Sequence, residues 1–465
     1  MLDAFADALD ALAIPAGADV ALAYSGGLDS SVLLDLAALY AREHGLTLHA
    51  FHIHHGLSSN ADAWLAHCEQ ICAAHGIAFD ALKIDLAQSD GGVEEAARIQ
   101  RYAGLGELCR RHGAKWLLTA HHQDDQAETV LLQLLRGTGV AGLSGMDSAN
   151  TAPALLGSAD LTMARPLLHV ARGEIERYAQ AHGIAHIEDE SNADTRYARN
   201  AVRLQVMPLL AQLFPGFQQR FTRTARHAQS AQRLLVELGA QDLQQCLQGD
   251  CLDMIEVKKL DADRIDNLLR YWFGARGMRM PSSAWLSEMR AQLLEAKADA
   301  QLCVTHPDCH IRRHRDRVFL TPRRDRDVSE IEPQAFVWEG QPSMSFADFE
   351  GTLYFDPVSG DDAGIDAQWL RRQHCWIRYR SGGERLKLAP NRPTKSIKYH
   401  YQAMDIPSWE RPYLPIVGIA TSPGAANTVL LAAGIGMDCA HQQLHGERVS
   451  LRWAPADAFV INYYK

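Results

Sequence analysis

Two short stretches of this chain carry residue types that could do chemistry. The first is Ser25-Gly26-Gly27-Leu28-Asp29-Ser30-Ser31, which follows the apolar run Val20-Ala-Leu-Ala-Tyr24 and leads into Val32, Leu33, Leu36 and Leu39 at helical spacing. Adjacent glycines let a backbone turn sharply and approach an anion. Hydroxyls add donors, and a new helix aims its unpaired N–H groups and positive dipole end at the same point. A buried strand feeding such a loop makes a phosphate site. The pattern is not G-x-x-x-x-G-K-[ST], since no lysine follows the glycines, and it is not G-x-G-x-x-G. Asp29 places a negative charge where phosphate would repel it, which makes sense if Mg2+ bridges the two. A plain Gly-Ser turn would not call for S-G-G-x-D-S between a strand and a helix.

The second stretch, His121-His122-Gln123-Asp124-Asp125-Gln126-Ala127-Glu128-Thr129, packs two histidines and three carboxylates into nine residues at the start of a helix. Like charges this close need a counter-charge, and a magnesium-pyrophosphate or a cationic substrate would supply it. Capping and first-turn preference explain one or two of the acids, but not the cluster. With near-neutral pKa values, His121 or His122 could move protons.

The elements around these stretches alternate. Leu2, Phe5, Leu9 and Leu12 mark a first helix that Pro15-Ala-Gly17 ends, and Leu48 to His54 reads as a second strand. A helix on Trp64, Leu65, Cys68, Ile71 and Cys72 follows, then a strand from Phe79 to Ile84, a helix from about Val93 to Arg111, and a strand from Lys115 to Thr119. Strand-helix alternation with short connections predicts an α/β domain with a parallel sheet covered on both faces. Ligands of such sheets bind beyond the carboxyl ends of the strands, where both stretches fall together with His52-Ile-His54-His55-Gly56-Leu57-Ser58. Four helices end in His-Gly, at 44–45, 75–76, 112–113 and 182–183, which predicts left-handed glycine caps with structural histidines.

The 465 residues are enough for two or three domains, and 47% apolar composition gives each a core. No apolar run reaches the roughly 18 residues of a membrane span, and the first residues are acidic, so the expectation is a cytoplasmic protein without a membrane partner. Nine cysteines without a C-x-x-C pair argue against disulfides and zinc. A net charge of −10 argues weakly against nucleic acid, but the distribution matters more than the sum.

The first loop resembles the pyrophosphate (PP) loop of the N-type ATP pyrophosphatases, which split ATP between its α and β phosphates and adenylate a substrate. Further runs narrow the resemblance: Thr119 to Thr129, Leu135-Arg136-Gly-Thr-Gly to Met146, Arg165-Pro-Leu-Leu168, Asp189-Glu-Ser-Asn192, Arg199-Asn200 and Arg203 are similar to the tRNA(Ile)-lysidine synthetase family over about residues 20 to 205. The resemblance implies a Rossmann-like PP-loop catalytic domain over 1–215, a mainly helical tRNA- or substrate-binding domain over 216–325, and a small α+β tRNA-binding domain over 334–465. Residues Ser25, Gly26, Gly27, Leu28, Asp29, Ser30 and Arg136 would serve ATP, with Asp29 on Mg2+. Asp124, Asp125 and Glu128 would hold a metal or the cationic substrate. Asn192, Arg199, Asn200 and Arg203 would hold tRNA or the lysine carboxylate.

The residues support an RNA partner independently. From Arg196 to Arg233 there are seven arginines and no Asp or Glu, a one-sign stretch able to track a phosphate backbone with Phe214, Phe217 and Phe221 packed beneath. Residues 216 to about 295 read as all-helical, with core stripes Leu268, Leu269, Trp272, Phe273 and Trp285, Met289, Leu293, and 301–322 alternate like strands around the basic cluster His310 to Arg317. Asp325 to Pro333 reads as a linker. Beyond it come short strand-like runs including Phe459 to Tyr463, and Arg371 to Arg411 holds ten Lys or Arg against three acids. There Arg378, Arg380 and Arg385 around a Gly-Gly turn, with Lys395 and Lys398, resemble the family's C-terminal tRNA-binding module.

The expected activity is ATP-dependent ligation of free L-lysine to the wobble cytidine of CAU-anticodon tRNA(Ile). A PP-loop tRNA thiolation enzyme would need paired cysteines or an iron–sulfur cluster. A non-catalytic nucleotide sensor would not need the acidic segment, and a glutamine-dependent amidating ligase would need a separate nucleophile. The sequence leaves the oligomeric state open, a homodimer included.

Overall fold

The computed structural model describes residues 1–54, 56, 60–84, 93–188, 194–296, 302–323, 327–420 and 428–456. These fall into two compact units, Met1–Leu235 and Val236–Lys465. In the first unit the order is α1 (Leu2–Asp10), β1 (Asp19–Ala23), α2 (Leu28–His44), β2 (Thr47–His54), α3 (Ala61–His75), β3 (Ala78–Lys83), α4 (Val93–Arg111), β4 (Trp116–Leu118), α5 (Gln123–Leu135), α6 (Val140–Leu143), β5 (Ala149–Thr151), α7 (Pro153–Leu156), β6 (Thr162–Ala164) and α8 (Arg172–His182). A short helix α9 (Ala198–Ala201), a π-turn (Val202–Val206) and α10 (Met207–Leu213) follow, and the long α11 (Phe217–Cys246) begins in this unit and ends in the second.

Six of the described strands form one sheet in the order β3-β2-β1-β4-β6-β5, parallel except for β5 at the edge. Alternate residues of a strand face opposite sides, and the burial follows that period. Val20, Leu22, Leu48, Ala50 and Leu118 enter a core with α1, α2, α3 and α8, whereas Ala21, Phe51, Ile53 and Leu117 enter a second core with α4 and α7. The sheet is covered on both faces, as expected. Chain direction across the sheet reverses at β1, so the crevice between the carboxyl ends of β1 and β4 is the topological switch point where such sheets bind ligands. The strands β5 and β6 were not legible, being three residues each without an alternating pattern.

The His-Gly helix ends behave as the sequence predicts. Gly45, Gly76, Gly113 and Gly183 all have φ between 62° and 69°. His44 Nδ1 also lies 3.0 Å from the Tyr40 carbonyl in the last turn of α2.

In the second unit the helices Ala262–Ala275 and Ser283–Glu295 bury Leu268, Leu269, Trp272, Phe273, Met289 and Leu293 against Ile311 and Val318 of an antiparallel sheet. Those aromatics are core, and 303–322 are strands, as read. The stretch expected to be all-helical departs at Leu247–Gln248 and Cys251–Asp253, which pair as a hairpin around Gly249 at φ 61°. The Gly-Asp dipeptide there is a turn signal that the helical periodicity around it hid. Further on, two antiparallel sheets share one core, with Ile377, Val417 and Leu431 from one and Leu353, Phe355, Val449 and Leu451 from the other. The run Phe459 to Tyr463 lies outside the described residues. Among the described residues no helix is long and apolar enough to cross a membrane.

Close packing of α7 on α4 depends on Gly106, where an added Cβ would lie 1.9 Å from the Leu156 carbonyl oxygen. Gly106→Ala should lower the unfolding free energy by about 1–3 kcal/mol in urea melts. Gly274→Ala, with nothing within 4 Å of the new methyl, should leave stability unchanged or raise it.

Candidate active site

The phosphate loop is held by its own side chains. Gly26 sits at φ 82°, and a Cβ there would meet Ile187 Cδ1 at 2.8 Å and Cys68 Sγ at 2.9 Å, so glycine is required on two counts. The Ile187 N–H donates to the Gly26 carbonyl at 2.9 Å and pins the loop from outside. Ser30 Oγ donates to the Gly27 carbonyl at 3.0 Å and lies 3.0 Å from Ser25 Oγ, while Ser31 Oγ donates to the Gly26 carbonyl at 3.3 Å. These hydroxyls, expected to add donors for an anion, shape the loop. Gly27 is the N-cap of α2, and no side chain caps that helix. Its first-turn N–H groups are the anion donors the loop offers.

Asp29 stands in that first turn. Its Oδ2 accepts from Arg172 Nη1 at 2.6 Å, with His122 Nε2 at 3.7 Å. Its Oδ1 is buried with no hydrogen-bond partner. Burial raises its carboxyl above the usual aspartate value, although His122 and Arg172 pull the other way. An orphaned buried carboxylate oxygen beside an anion site fits a divalent cation. Among the described residues no group of three or more His, Cys, Asp or Glu could hold a metal, so an ion at Asp29 would take its remaining ligands from phosphate and water, as Mg2+ commonly does.

His122 is the N-cap of α5. Its Nδ1 accepts from the Asp124 N–H at 3.2 Å, and its own N–H donates to Asp125 Oδ2 at 3.0 Å, a reciprocal capping box. Nδ1 accepts there, and Nε2 faces Asp29 and Asp125, the latter at 3.4 Å. His121 differs from expectation. Its Nδ1 lies 2.9 Å from Thr119 Oγ1, and burial, opposed by Asp125, pushes its pKa down to about 3. It is neutral across the physiological range and does not titrate near neutrality.

The counter-charge for the acids is built into the chain. Arg199 Nε and Arg203 Nε donate to Glu128 at 3.0 and 2.6 Å, and their Nη2 groups donate to Asp125 Oδ1 at 3.0 and 2.8 Å. The wide π-turn presents Arg203 beside Arg199 of α9, so two planar guanidiniums grip two carboxylates. Glu128 keeps only 2% of its side chain exposed. Burial works against charge on Asp125, but His122, Arg199 and Arg203 outweigh it and hold the carboxyl at about 2. Both oxygens of Asp124 are engaged too, by the Arg172 N–H at 3.1 Å and by Gln218 Nε2 at 3.1 Å.

The remaining sequence-derived residues are placed as follows. Asn200 Nδ2 donates to the Asp194 carbonyl at 3.0 Å. Asn192, with Asp189 to Ser191, lies outside the described residues, as do His55, Leu57 and Ser58. Arg136 is exposed at the C-cap of α5, thirteen residues and roughly 20 Å along that helix from its acidic end. His52 Nδ1 bonds the Tyr24 carbonyl at 2.9 Å, and His54 Nε2 meets Asp62 at 3.0 Å.

In the second unit, Glu384 accepts from the N–H groups of Ser381 and Gly382 and from Arg378 Nη1. The Gly-Gly turn, read as able to grip phosphate, directs its donors onto its own glutamate. Arg385 Nη2 donates to the Thr394 carbonyl at 2.7 Å, Arg380 stands 5.9 Å over the Tyr401 ring, and Lys395 stands 5.1 Å over that of Tyr399. Arg385, Lys395, Lys398 and Tyr399 are exposed.

Sequence reasoning missed Arg172 and Gln218. A signal existed for the first: Arg172 opens α8, where the helix dipole disfavours a cation, so an arginine there wants a nearby acid.

Comparison with known proteins places these features in sequence space. A family model described as a PP-loop domain matches residues 3–210, one described as a TilS substrate binding domain matches 252–319, and one described as a TilS substrate C-terminal domain matches 375–453. The chain is 42% identical over 440 residues to the tRNA(Ile)-lysidine synthase of Burkholderia pseudomallei, covering 88% of each chain. It is 39% identical over 449 residues to that of Ralstonia nicotianae, covering 94% of this chain and 93% of the relative. It is 36% identical over 457 residues to that of Azoarcus, covering 98% and 96%.

The Asp125 geometry sets a pH dependence. Its carboxyl falls from an ordinary 3.8 to about 2 on folding, so it contributes stability that is present above about pH 4 and is lost as the pH drops through 2. That loss should amount to about 2 kcal/mol in acid unfolding titrations. In Arg199→Met with Arg203→Met the loss should shrink, because the cations that depress Asp125 are gone, while stability at neutral pH should fall by about 3–5 kcal/mol as Glu128 is left buried and unpaired.

Proposed function

The chain belongs to the tRNA(Ile)-lysidine synthase family, and from that premise we propose how its residues divide the work. The enzyme joins lysine to C2 of the wobble cytidine of CAU-anticodon tRNA(Ile) and converts ATP to AMP and pyrophosphate. Cytosine C2 is a poor electrophile. Its carbonyl oxygen is therefore first adenylated on the α phosphate, releasing pyrophosphate, and the lysine amine then attacks C2 as AMP leaves.

The observation that carries this reading is Asp29, with one buried unpartnered oxygen in the first turn of the helix that the phosphate loop opens. The backbone from Ser25 to Ser30 would cradle the β and γ phosphates, and Asp29 would hold Mg2+, which would supply charge neutralisation for the departing pyrophosphate. His122, with its Nε2 turned to Asp29 and Asp125, keeps both carboxylates oriented.

Free lysine carries a carboxylate and ammonium groups, and Asp125, Glu128, Arg199 and Arg203 interleave two acids with two guanidiniums. Such a set can exchange partners with an amino acid while keeping every buried charge paired. The lysine seat is assigned to this set. The tRNA lies on Arg220, Arg223, Arg226 and Arg233, exposed on α11, and on the exposed Arg385, Lys395, Lys398 and Tyr399 of the second unit. The reading places the protein in the cytoplasm, with its tRNA.

Purified protein given Mg-ATP, labelled lysine and unmodified tRNA(Ile) should transfer label to the tRNA and release AMP and pyrophosphate. Asp29→Ala should abolish tRNA-dependent pyrophosphate release with the fold intact by circular dichroism. Full activity in that variant, or sulfur incorporation in place of lysine, would refute the reading.

A further inference from the structure

Arg172 is a cation at the opening of a helix, against the dipole, and its guanidinium joins two acids. Nη1 reaches Asp29 Oδ2 at 2.6 Å across 143 residues of chain, Nε reaches the exposed Glu176 at 3.1 Å, and the backbone N–H holds Asp124 at 3.1 Å. The backbone contact fixes where the side chain starts, and the side chain, 38% exposed, has room to turn. Asp29 presents one oxygen to this guanidinium and keeps the other buried and unpartnered.

We propose that Arg172 exchanges partners during the reaction, neutralising Asp29 while the phosphate site holds no nucleotide and turning to the pyrophosphate group once Mg2+ is held by Asp29. The inference rests on the phosphate-loop reading above and adds to it a positioning residue for the leaving group. Charge balance drives the exchange. A carboxylate with one oxygen buried is costly to leave without a cation, so Arg172 stays on Asp29 until a metal arrives. With a divalent ion on the same carboxylate, the guanidinium faces a like charge on one side and an entering polyanion on the other, and it moves to the polyanion. Arginine suits this role because its fork binds carboxylate and phosphate oxygens with the same geometry. Glu176, one helical turn along, offers Arg172 a resting partner through Nε in either state.

The test uses inorganic pyrophosphate as the probe and the full-length chain, with binding followed by titration calorimetry in the presence and absence of Mg2+. Arg172→Gln should weaken magnesium-pyrophosphate binding by about tenfold or more, the scale of a lost charge-assisted contact. It should weaken metal-free pyrophosphate by no more than about twofold, because without metal the wild-type guanidinium is already held by Asp29. Arg172→Lys, which keeps the charge but not the fork, should fall between wild type and Arg172→Gln with Mg2+ present. Equal losses with and without Mg2+ would overturn the exchange and leave Arg172 as a fixed phosphate-side charge, and no loss with Mg2+ would make it purely structural. If the wild-type protein failed to bind pyrophosphate at all, the phosphate-loop reading would fall first and the exchange with it.

Discussion

Four carboxylates, Asp29, Asp124, Asp125 and Glu128, meet at the carboxyl ends of two neighbouring parallel strands, and their charge has to be balanced where little water reaches. The Arg172 guanidinium touches Asp29 and its backbone N–H touches Asp124, His122 lies between Asp29 and Asp125, and Arg199 with Arg203 clasps Asp125 and Glu128. Much of the first unit is arranged to deliver those guanidiniums. The segment from α9 through the π-turn to α10 brings two guanidiniums onto one face of α5, and Met207, Leu210 and Phe217 pack with Ala127 and Leu131 to hold it there. Arginine is required, since each guanidinium bridges two different carboxylates and a lysine would reach one.

The same constraint explains the acid-free run from Arg196 to Arg233. Its arginines serve two ends. Arg199 and Arg203 turn inward to the acids, and those of α11 remain on the surface where an RNA backbone could meet them. The arrangement leaves a single buried carboxylate oxygen of the cluster without a hydrogen-bond partner among the described residues, Asp29 Oδ1, the atom proposed above for the metal.

What the sequence reveals here is local. The phosphate loop, the strand-helix alternation and the His-Gly caps are written in neighbouring residues, and each appears where its pattern stands. The capping box of α5 is local as well, and it explains why Asp125 and His122 occur where they do without reference to substrate. The partners of the acids are not local. Arg199 and Arg203 join Glu128 from 71 and 75 residues away, and nothing in a periodicity says which of seven arginines will turn inward. The Gly-Gly turn misleads for a related reason: its donors look free in the sequence, but Glu384, two residues on, takes them. His121 misleads because burial, invisible in composition, removes the titration that a histidine beside two aspartates suggests.

The chain pairs Asp125 and Glu128 with its own arginines, and the proposed function reserves Asp29 Oδ1 for the metal. Diffraction from crystals grown with Mn2+ and a non-hydrolysable ATP analogue, with anomalous data collected at the manganese edge, tests it directly. The predicted result is one anomalous peak within bonding distance of Asp29 Oδ1 and the analogue's phosphates, with Arg199 and Arg203 still clasping Asp125 and Glu128. A peak on Asp125 or Glu128, with those arginines displaced, would contradict it.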